Sequence, residues 1–227
     1  MADIRRPILC LVTDRRRLPQ PSESSLIRLV ASAARAGVDL IHLRERDLDD
    51  HRLLALTREV VSAVGGTATR VVVNDRVDVA LAAGAHGVHL RQDSMPADRV
   101  RPIVPRDFVI GQAVHGSEDA ALAGLSGADF AVMGTIYPTA SKPVGRATAG
   151  VAGLASACRA TSIPVLAIGG VTADNVTDIA AAGAAGIAAI RLFADLQGDD
   201  ADGEIQPAMD ELVASIRRAF DARLGLS

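Results

Sequence analysis

The segment Ala-Gly-Val-Asp-Leu-Ile-His-Leu-Arg at residues 36–44 returns in altered form as Ala-Gly-Ala-His-Gly-Val-His-Leu-Arg at residues 83–91. Shorter versions, Ser-Gly-Ala-Asp-Phe and Ala-Gly-Ala-Ala-Gly-Ile, follow at residues 126–130 and 182–187. In each copy, a glycine suited to the left-handed end of a helix precedes an apolar run that is typical of a buried strand. The repeat therefore predicts that one kind of helix-to-strand junction is used several times along the chain.

Apolar runs predict eight strands, and each strand is followed by an alanine- and leucine-rich segment of helical pattern. The predicted strands cover 8–14, 40–45, 70–75, 87–90, 108–115, 130–136, 164–170 and 186–193, and the predicted helices lie near 24–36, 50–63, 77–83, 96–103, 117–125, 149–160, 173–182 and 206–222. Alternating strands and helices favour a parallel sheet. Eight similar units favour an α/β fold with a single (β/α)8 TIM barrel domain over 1–227, with an open doubly wound sheet as the alternative.

Composition and charge indicate what kind of core the protein has and which partners are disfavoured. Hydrophobic residues make up 49% of the chain and aromatic residues only 2%, so a large core must be built from aliphatic side chains. The formal net charge is −3 and no segment forms a basic face, which argues against nucleic acid or a membrane surface as a partner. Because no signal-like or membrane-spanning segment is evident, we expect a cytoplasmic protein.

Barrels of this kind work at the carboxyl ends of their strands, in the loops that follow them. The loop after the sixth strand carries Thr139, Ser141 and Lys142, and hydroxyl and ammonium donors suit an anion. Gly169 and Gly170 end the seventh strand, where barrels often bind phosphate through backbone N–H groups. A tight turn without a ligand is the alternative for this glycine pair.

Polar residues also end strands two and three. Strand alternation places His42, Arg44 and Arg46 on one face, where two guanidinium groups suit a phosphate or carboxylate, or else an internal ion-pair network. Asn74 and Asp75 end strand three. A carboxylate beside a carboxamide can bind a divalent cation, orient a base, or cap the next helix.

Two histidines lie at different depths of the predicted barrel. His115 ends strand five and is the candidate general acid or base, because histidine titrates near neutral pH. His89 lies within strand four, so we expect it to be a core histidine with satisfied hydrogen bonds.

Taken together, these segments resemble the thiamin phosphate synthase/TenI superfamily. The matching segments run in family order: 11–14 (Leu-Val-Thr-Asp), 43–45 (Leu-Arg-Glu), 73–76 (Val-Asn-Asp-Arg), 87–90 (Gly-Val-His-Leu), 134–142 (Gly-Thr-Ile-Tyr-Pro-Thr-Ala-Ser-Lys) and 167–170 (Ala-Ile-Gly-Gly). The resemblance implies a (β/α)8 barrel that acts in thiamin biosynthesis on a thiazole phosphate. It also implies a homo-oligomer, because the barrels of this superfamily are often dimeric or larger.

The superfamily has two branches. Synthases join hydroxymethylpyrimidine diphosphate to the thiazole phosphate and release pyrophosphate with Mg²⁺. TenI-type tautomerases aromatise a thiazole carboxylate phosphate by moving protons, without a metal or other cofactor. A barrel that binds phosphate without catalysis is a third possibility.

The resemblance assigns expected roles to the candidate residues. The predicted catalytic residues are His115, Arg44 and Lys142. The predicted substrate- and phosphate-binding residues are His42, Arg46, Asn74, Thr139, Ser141, Gly169, Gly170, Ile190 and Arg191. If the enzyme is a synthase, Asp75 is the expected Mg²⁺ ligand.

Several positions depart from the synthase pattern. Synthases usually carry glutamine where this chain has His42, and a second metal-binding aspartate where it has Ser94. Asp93 stands one residue early, and such a slip turns a side chain away unless a loop absorbs it. The serine expected before the histidine of strand five is Ala113. These departures favour the TenI-type tautomerase, with the Mg²⁺-dependent synthase as the alternative.

Overall fold

Eight parallel strands close into a barrel in chain order, each paired with its sequence neighbours and β8 with β1. The protein is described by a computed structural model that covers residues 7–139, 147–196 and 205–224. The strands are β1 (Ile8–Val12), β2 (Leu40–Leu43), β3 (Arg70–Asn74), β4 (Gly87–Leu90), β5 (Val109–Val114), β6 (Phe130–Gly134), β7 (Val165–Ile168) and β8 (Gly186–Ala189). The predicted (β/α)8 barrel is confirmed, and the open sheet is excluded.

Helices surround the barrel. They are α1 (Glu23–Arg35), α2 (Asp50–Ala63), α3 (Val77–Ala83), α4 (Ala97–Val100), α5 (Ser117–Leu125), α6 (Gly150–Ala160), α7 (Val176–Ala181), α8 (Arg191–Ala194) and α9 (Ile205–Leu224). The eighth strand, predicted to reach 193, stops at Ala189 because the chain turns into α8. Within the described ranges, no helix is long and apolar enough to cross a membrane.

The repeated junction is present as predicted. Gly37, Gly84, Gly127 and Gly183 have φ angles of 87°, 70°, 82° and 96°, and each lies just before a strand. This left-handed conformation costs glycine little, because it has no Cβ. The repeat therefore marks the points where a helix ends and the chain turns back into the barrel.

Two copies of the repeat also carry an aspartate that joins neighbouring strands. Asp39 accepts a hydrogen bond from the backbone N–H of Leu9 at 2.8 Å, and Asp129 accepts one from Ile110 at 2.8 Å. Both bonds lie at the amino ends of the strands. These two aspartates therefore hold neighbouring strands together at the end of the barrel opposite to the carboxyl ends of the strands.

The strands bury side chains on both faces. Alternate residues face either the helices or the barrel lumen, so that in β1 Leu9 and Leu11 pack outward while Ile8 and Cys10 pack inward. The lumen also contains Phe130, one of the few aromatic residues of the chain. The inward positions turn polar toward the carboxyl ends of the strands, which form the mouth of the barrel.

Candidate active site

A pair of histidines in ring contact forms the floor of the mouth. The rings of His42 and His89 lie 4.3 Å apart between centroids, and His89 also contacts Phe130 at 6.0 Å. Burial lowers the pKa of His89 to about 4 and the pKa of His42 well below its ordinary value. Both imidazoles are therefore neutral at pH 7.

His89 lies in the core, as predicted, but its expected hydrogen bonds are not made. Neither ring nitrogen of His89 has a hydrogen-bond partner among the described residues. His42, predicted to bind substrate, is buried, and its Nε2 lies 3.3 Å from Oδ1 of Asn74. Because a carboxamide oxygen only accepts, Nε2 of His42 carries the proton of this bond. The contact leaves the Asn74 amide nitrogen as the donor group of that side chain.

Arg44 lies half-buried above this floor, and Arg46 is exposed. Burial, then the neighbouring charge of Arg46, lowers the pKa of Arg44. Within the described ranges, no residue accepts a hydrogen bond from the Arg44 guanidinium, so it can bind an anion. The ion-pair network expected as the alternative forms around the next residue instead, where buried Glu45 accepts from Nη1 of Arg15 at 2.9 Å.

Asp75 departs from the regular strand geometry. Its φ angle is 60°, a left-handed conformation that is uncommon for residues other than glycine. It does not cap α3, since the N-cap position is Arg76 and no side chain caps that helix. Its carboxylate instead accepts a hydrogen bond from the Ser94 hydroxyl, and Oδ2 lies 3.7 Å from Nη1 of Arg91.

The loop after β4 surrounds this carboxylate. Nη2 of Arg91 contacts Oδ2 of Asp93 at 2.6 Å, so Asp93 pairs with the arginine rather than with a cation at Asp75. Ser94 Oγ accepts the Arg91 backbone N–H at 2.8 Å, and Nε2 of Gln112 donates to the Arg91 carbonyl at 2.8 Å. The sequence places Arg91 at the end of β4 but predicts no role for it or for Gln112, because their contacts depend on a loop path that no local pattern encodes.

The donor set at Asp75 can be compared with what Mg²⁺ requires. Mg²⁺ is commonly bound by one or two carboxylates together with substrate phosphates. No group of three metal-ligating His, Cys, Asp or Glu residues occurs among the residues that the structure describes. Asp75 and the Ser94 hydroxyl therefore fit a Mg²⁺ ion that is also held by a diphosphate, but not an ion held by the protein alone.

His115 lies exposed at the end of β5, with its orientation fixed at two points. Its Nδ1 lies 2.6 Å from the carbonyl oxygen of Gly134, and its backbone N–H donates to Asp119 at 2.9 Å. Since a carbonyl only accepts, Nδ1 carries a proton, and in the neutral ring Nε2 is left as an acceptor. This geometry suits a general base or acid, the role predicted for His115.

The loops after β6 and β7 are tied together. Gly169 and Gly170 have φ angles of 98° and 66°, and a Cβ added at Gly170 would lie 2.7 Å from the Pro138 carbonyl oxygen. The backbone N–H of Tyr137 donates to the Gly169 carbonyl at 3.0 Å. Nδ2 of Asn175, a residue that sequence reasoning missed, donates to the Gly170 carbonyl at 2.8 Å. The glycine pair thus forms a rigid turn.

Of the remaining predicted residues, some are described by the structure and others lie outside the described ranges. Ile190 is half-buried just before α8, and the exposed Arg191 lies 3.5 Å from Asp195. Thr139 closes the described part of the β6 loop, whereas Ser141 and Lys142 lie outside the described residues. The described candidates from β2, β3, β5, β7 and β8 lie at or just beyond the carboxyl-terminal parts of their strands, with His42 inside β2 and Asn74 as the last residue of β3.

Comparison with known proteins points to one family. The sequence model of the family described as "Thiamine monophosphate synthase" (TMP-TENI) matches residues 9–193. A "Putative thiamine-phosphate synthase" of Geobacter sulfurreducens is 41% identical over 182 residues, covering 80% of this chain and 84% of that protein. The "Thiamine-phosphate synthase" of Roseiflexus castenholzii is 39% identical over 185 residues, covering 82% and 80%.

A solved structure agrees with the sequence comparisons. The "Thiamine phosphate pyrophosphorylase" from Pyrococcus furiosus superposes with a TM-score of 0.77 at 29% sequence identity. The match covers 93% of this chain and 96% of that chain.

Proposed function

Because this chain belongs to the TMP-TENI family of thiamine monophosphate synthases, we propose that it is an enzyme of thiamin biosynthesis that acts on a thiazole phosphate. We propose further that it joins hydroxymethylpyrimidine diphosphate to the thiazole phosphate and releases pyrophosphate. One observation carries this choice of reaction: relatives that are 41% and 39% identical over about four-fifths of the chain are named as synthases. Their names favour the alternative of our sequence prediction over its first choice, the tautomerase.

The site offers groups for both halves of this reaction. The backbone of the Gly169–Gly170 turn suits the thiazole phosphate, because a turn of this kind can present N–H groups to an anion. The half-buried guanidinium of Arg44 and the amide nitrogen of Asn74 suit the diphosphate. Mg²⁺ bound with the diphosphate at Asp75 would supply neutralisation of charge on the leaving pyrophosphate.

The tautomerase remains a second candidate because of two specific observations. His115 is oriented by the Gly134 carbonyl with Nε2 available for a proton. Asp75 is already engaged by the Ser94 hydroxyl and the Arg91 guanidinium. Proton transfer requires only a placed base and a phosphate anchor, and His115 and the Gly169–Gly170 turn are the candidates for these two roles.

Two assays on the purified protein separate the candidates. With both substrates and Mg²⁺, the synthase proposal expects thiamin phosphate to form. Asp75→Asn should lower the rate at least about a hundredfold, because it removes the carboxylate that faces the leaving group. Glu59→Gln, on the exposed face of α2, serves as the matched control and should keep the wild-type rate.

The second assay uses the non-aromatic thiazole carboxylate phosphate in EDTA and follows the aromatic product. No thiamin phosphate above background in the first assay would refute the synthase proposal. Aromatisation that is lost in His115→Ala would then establish the tautomerase. Inactivity in both assays, together with saturable binding of a thiazole phosphate, would identify a binding protein.

A further inference from the structure

The mouth of the barrel contains an arginine side chain, Arg91, that contacts the carboxylate of the proposed metal ligand Asp75. The Arg91 guanidinium lies between two carboxylates, with Nη2 at 2.6 Å from Asp93 Oδ2 and Nη1 at 3.7 Å from Asp75 Oδ2. The Arg91 side chain is 42% exposed and that of Asp93 is 70% exposed. The group is therefore solvated enough to exchange its partners for a ligand.

The backbone of Arg91 is held independently of its side chain. Its N–H donates to Ser94 Oγ and its carbonyl accepts from Gln112, both at 2.8 Å. Strand alternation places it on the same side of β4 as His89, which is buried in the lumen. The backbone of Arg91 is thus fixed at the mouth while its side chain can change partners, and a substitution at this side chain leaves both backbone anchors in place.

The position of this charge affects what Asp75 can bind. A divalent ion at Oδ2 of Asp75 would lie within a few ångströms of the guanidinium, and the two cations would repel each other. An incoming diphosphate changes this balance, because its several negative charges can accommodate a guanidinium and a metal ion together. Arginine is well matched to such groups, since its planar fork binds phosphate oxygens in pairs.

We propose that the Arg91 guanidinium is the positive group that neutralises Asp75 in the free protein. We propose also that it binds the anionic leaving group of the substrate. In the free protein it neutralises Asp75, so the site does not hold a divalent ion by itself. When the diphosphate binds, Arg91 moves from the carboxylates to the phosphate oxygens, and the carboxylate of Asp75 becomes available. The identity of the anion rests on the proposed synthase reaction, whereas the cation balance does not.

Two binding measurements without turnover test this proposal. Calorimetry with inorganic pyrophosphate should show at least about tenfold weaker binding by Arg91→Ala, the loss expected for one charge-assisted contact. Electron paramagnetic resonance with Mn²⁺ alone should show the opposite change. Arg91→Ala should bind Mn²⁺ at least about fivefold more tightly than wild type, because Asp75 and Asp93 lose their counter-cation.

Arg99→Ala is the matched control, since Arg99 is an exposed arginine on the short helix α4 that follows the same loop. It should leave both binding constants unchanged. Arg91→Gln, which keeps much of the length and removes the charge, repeats the test should the alanine variant prove unstable. Pyrophosphate binding by the charge-removed variant within twofold of the control would overturn the anion-binding role. Wild-type binding of Mn²⁺ alone as tight as that of the variant would overturn the cation balance.

Failure of the proposal is distinguishable from failure of the proposed function. Both measurements use inorganic ligands, so their outcome does not depend on which reaction the enzyme catalyses. A protein that forms thiamin phosphate but shows no opposite changes in Arg91→Ala would retain the synthase function and refute the role of Arg91. A tautomerase could still show the Mn²⁺ effect.

Discussion

Acid should destabilise this barrel through its buried histidines, His89 and His42. His89 is 5% exposed, its ring packs against that of His42, and neither of its ring nitrogens has a partner among the described residues. Burial first, and then the charge of Arg44, lowers the pKa of His89 from 6.5 to about 4. In the unfolded chain the same imidazole titrates near its ordinary pKa.

The sign and size of the effect follow from proton linkage. Between pH 6.5 and pH 4 the unfolded chain binds a proton at His89 that the folded chain does not, so stability falls as the pH falls. Each unit of difference in pKa corresponds to about 1.4 kcal/mol. The free energy of unfolding should therefore fall by about 3 kcal/mol from this group between pH 7 and pH 4.

The contribution of His89 is measured by comparing wild type with His89→Leu. Both are unfolded with urea at a series of pH values, and unfolding is followed by circular dichroism. The leucine variant keeps an apolar side chain against Phe130 and has no proton to gain. Groups remote from His89 titrate alike in both proteins, so their contributions cancel in the difference. His42 does not cancel completely, because burial and then the charge of His89 lower its pKa. The stability of the variant relative to wild type should rise by about 3 kcal/mol on acidification. Two curves that stay parallel within about 0.5 kcal/mol would show that His89 does not titrate differently on folding.

Two further substitutions test the parts of the site that the structure shows to be rigid. Gly170→Ala should cost about 1–3 kcal/mol of unfolding free energy and weaken phosphate binding, because φ is 66° and the new Cβ would lie 2.7 Å from the Pro138 carbonyl oxygen. Gly127→Ala, at a φ of 82° with open space around it, should show the backbone strain alone, so equal losses in the two variants would contradict the clash. Glu45→Gln should lower the free energy of unfolding, measured in urea, by about 1–3 kcal/mol. The substitution removes the buried charge that Arg15 contacts at 2.9 Å. A loss below about 0.5 kcal/mol would count against a stabilising role for this ion pair.

The barrel could be predicted because its evidence is local and repeated. The Gly-containing junction occurs before four of the strands and an apolar run marks each strand, so signals that are weak singly recur along the chain. The end of β8 was placed wrongly because 186–193 is apolar throughout its first half and a short apolar run does not separate strand from helix. The chain in fact turns at Ile190 to begin α8.

The surroundings of Asp75 could not be predicted in the same way. Its partners Ser94 and Arg91 belong to the next unit, and their approach depends on the pairing of Asn74 with His89 between β3 and β4. A sequence pattern can place Asp75 at a strand end, but it does not give the path of the loop that returns to it. The left-handed φ of Asp75 was equally hidden, because aspartate carries no signal as strong as glycine for that conformation.

The charge of Arg44 at the mouth of the barrel affects the two buried histidines that lie beneath it. Burial is the largest cause of the low pKa of both His42 and His89, and the charge of Arg44 lowers it further, so the guanidinium that suits an anion also favours the neutral imidazoles below it. A protonated histidine there would form a second cation in the lumen and draw a phosphate deeper than the mouth. Because both rings stay neutral at pH 7, the positive field of this part of the site is concentrated at Arg44. Loss of that charge should therefore raise the pKa of both histidines as well as weaken anion binding, which links the floor of the site to its mouth.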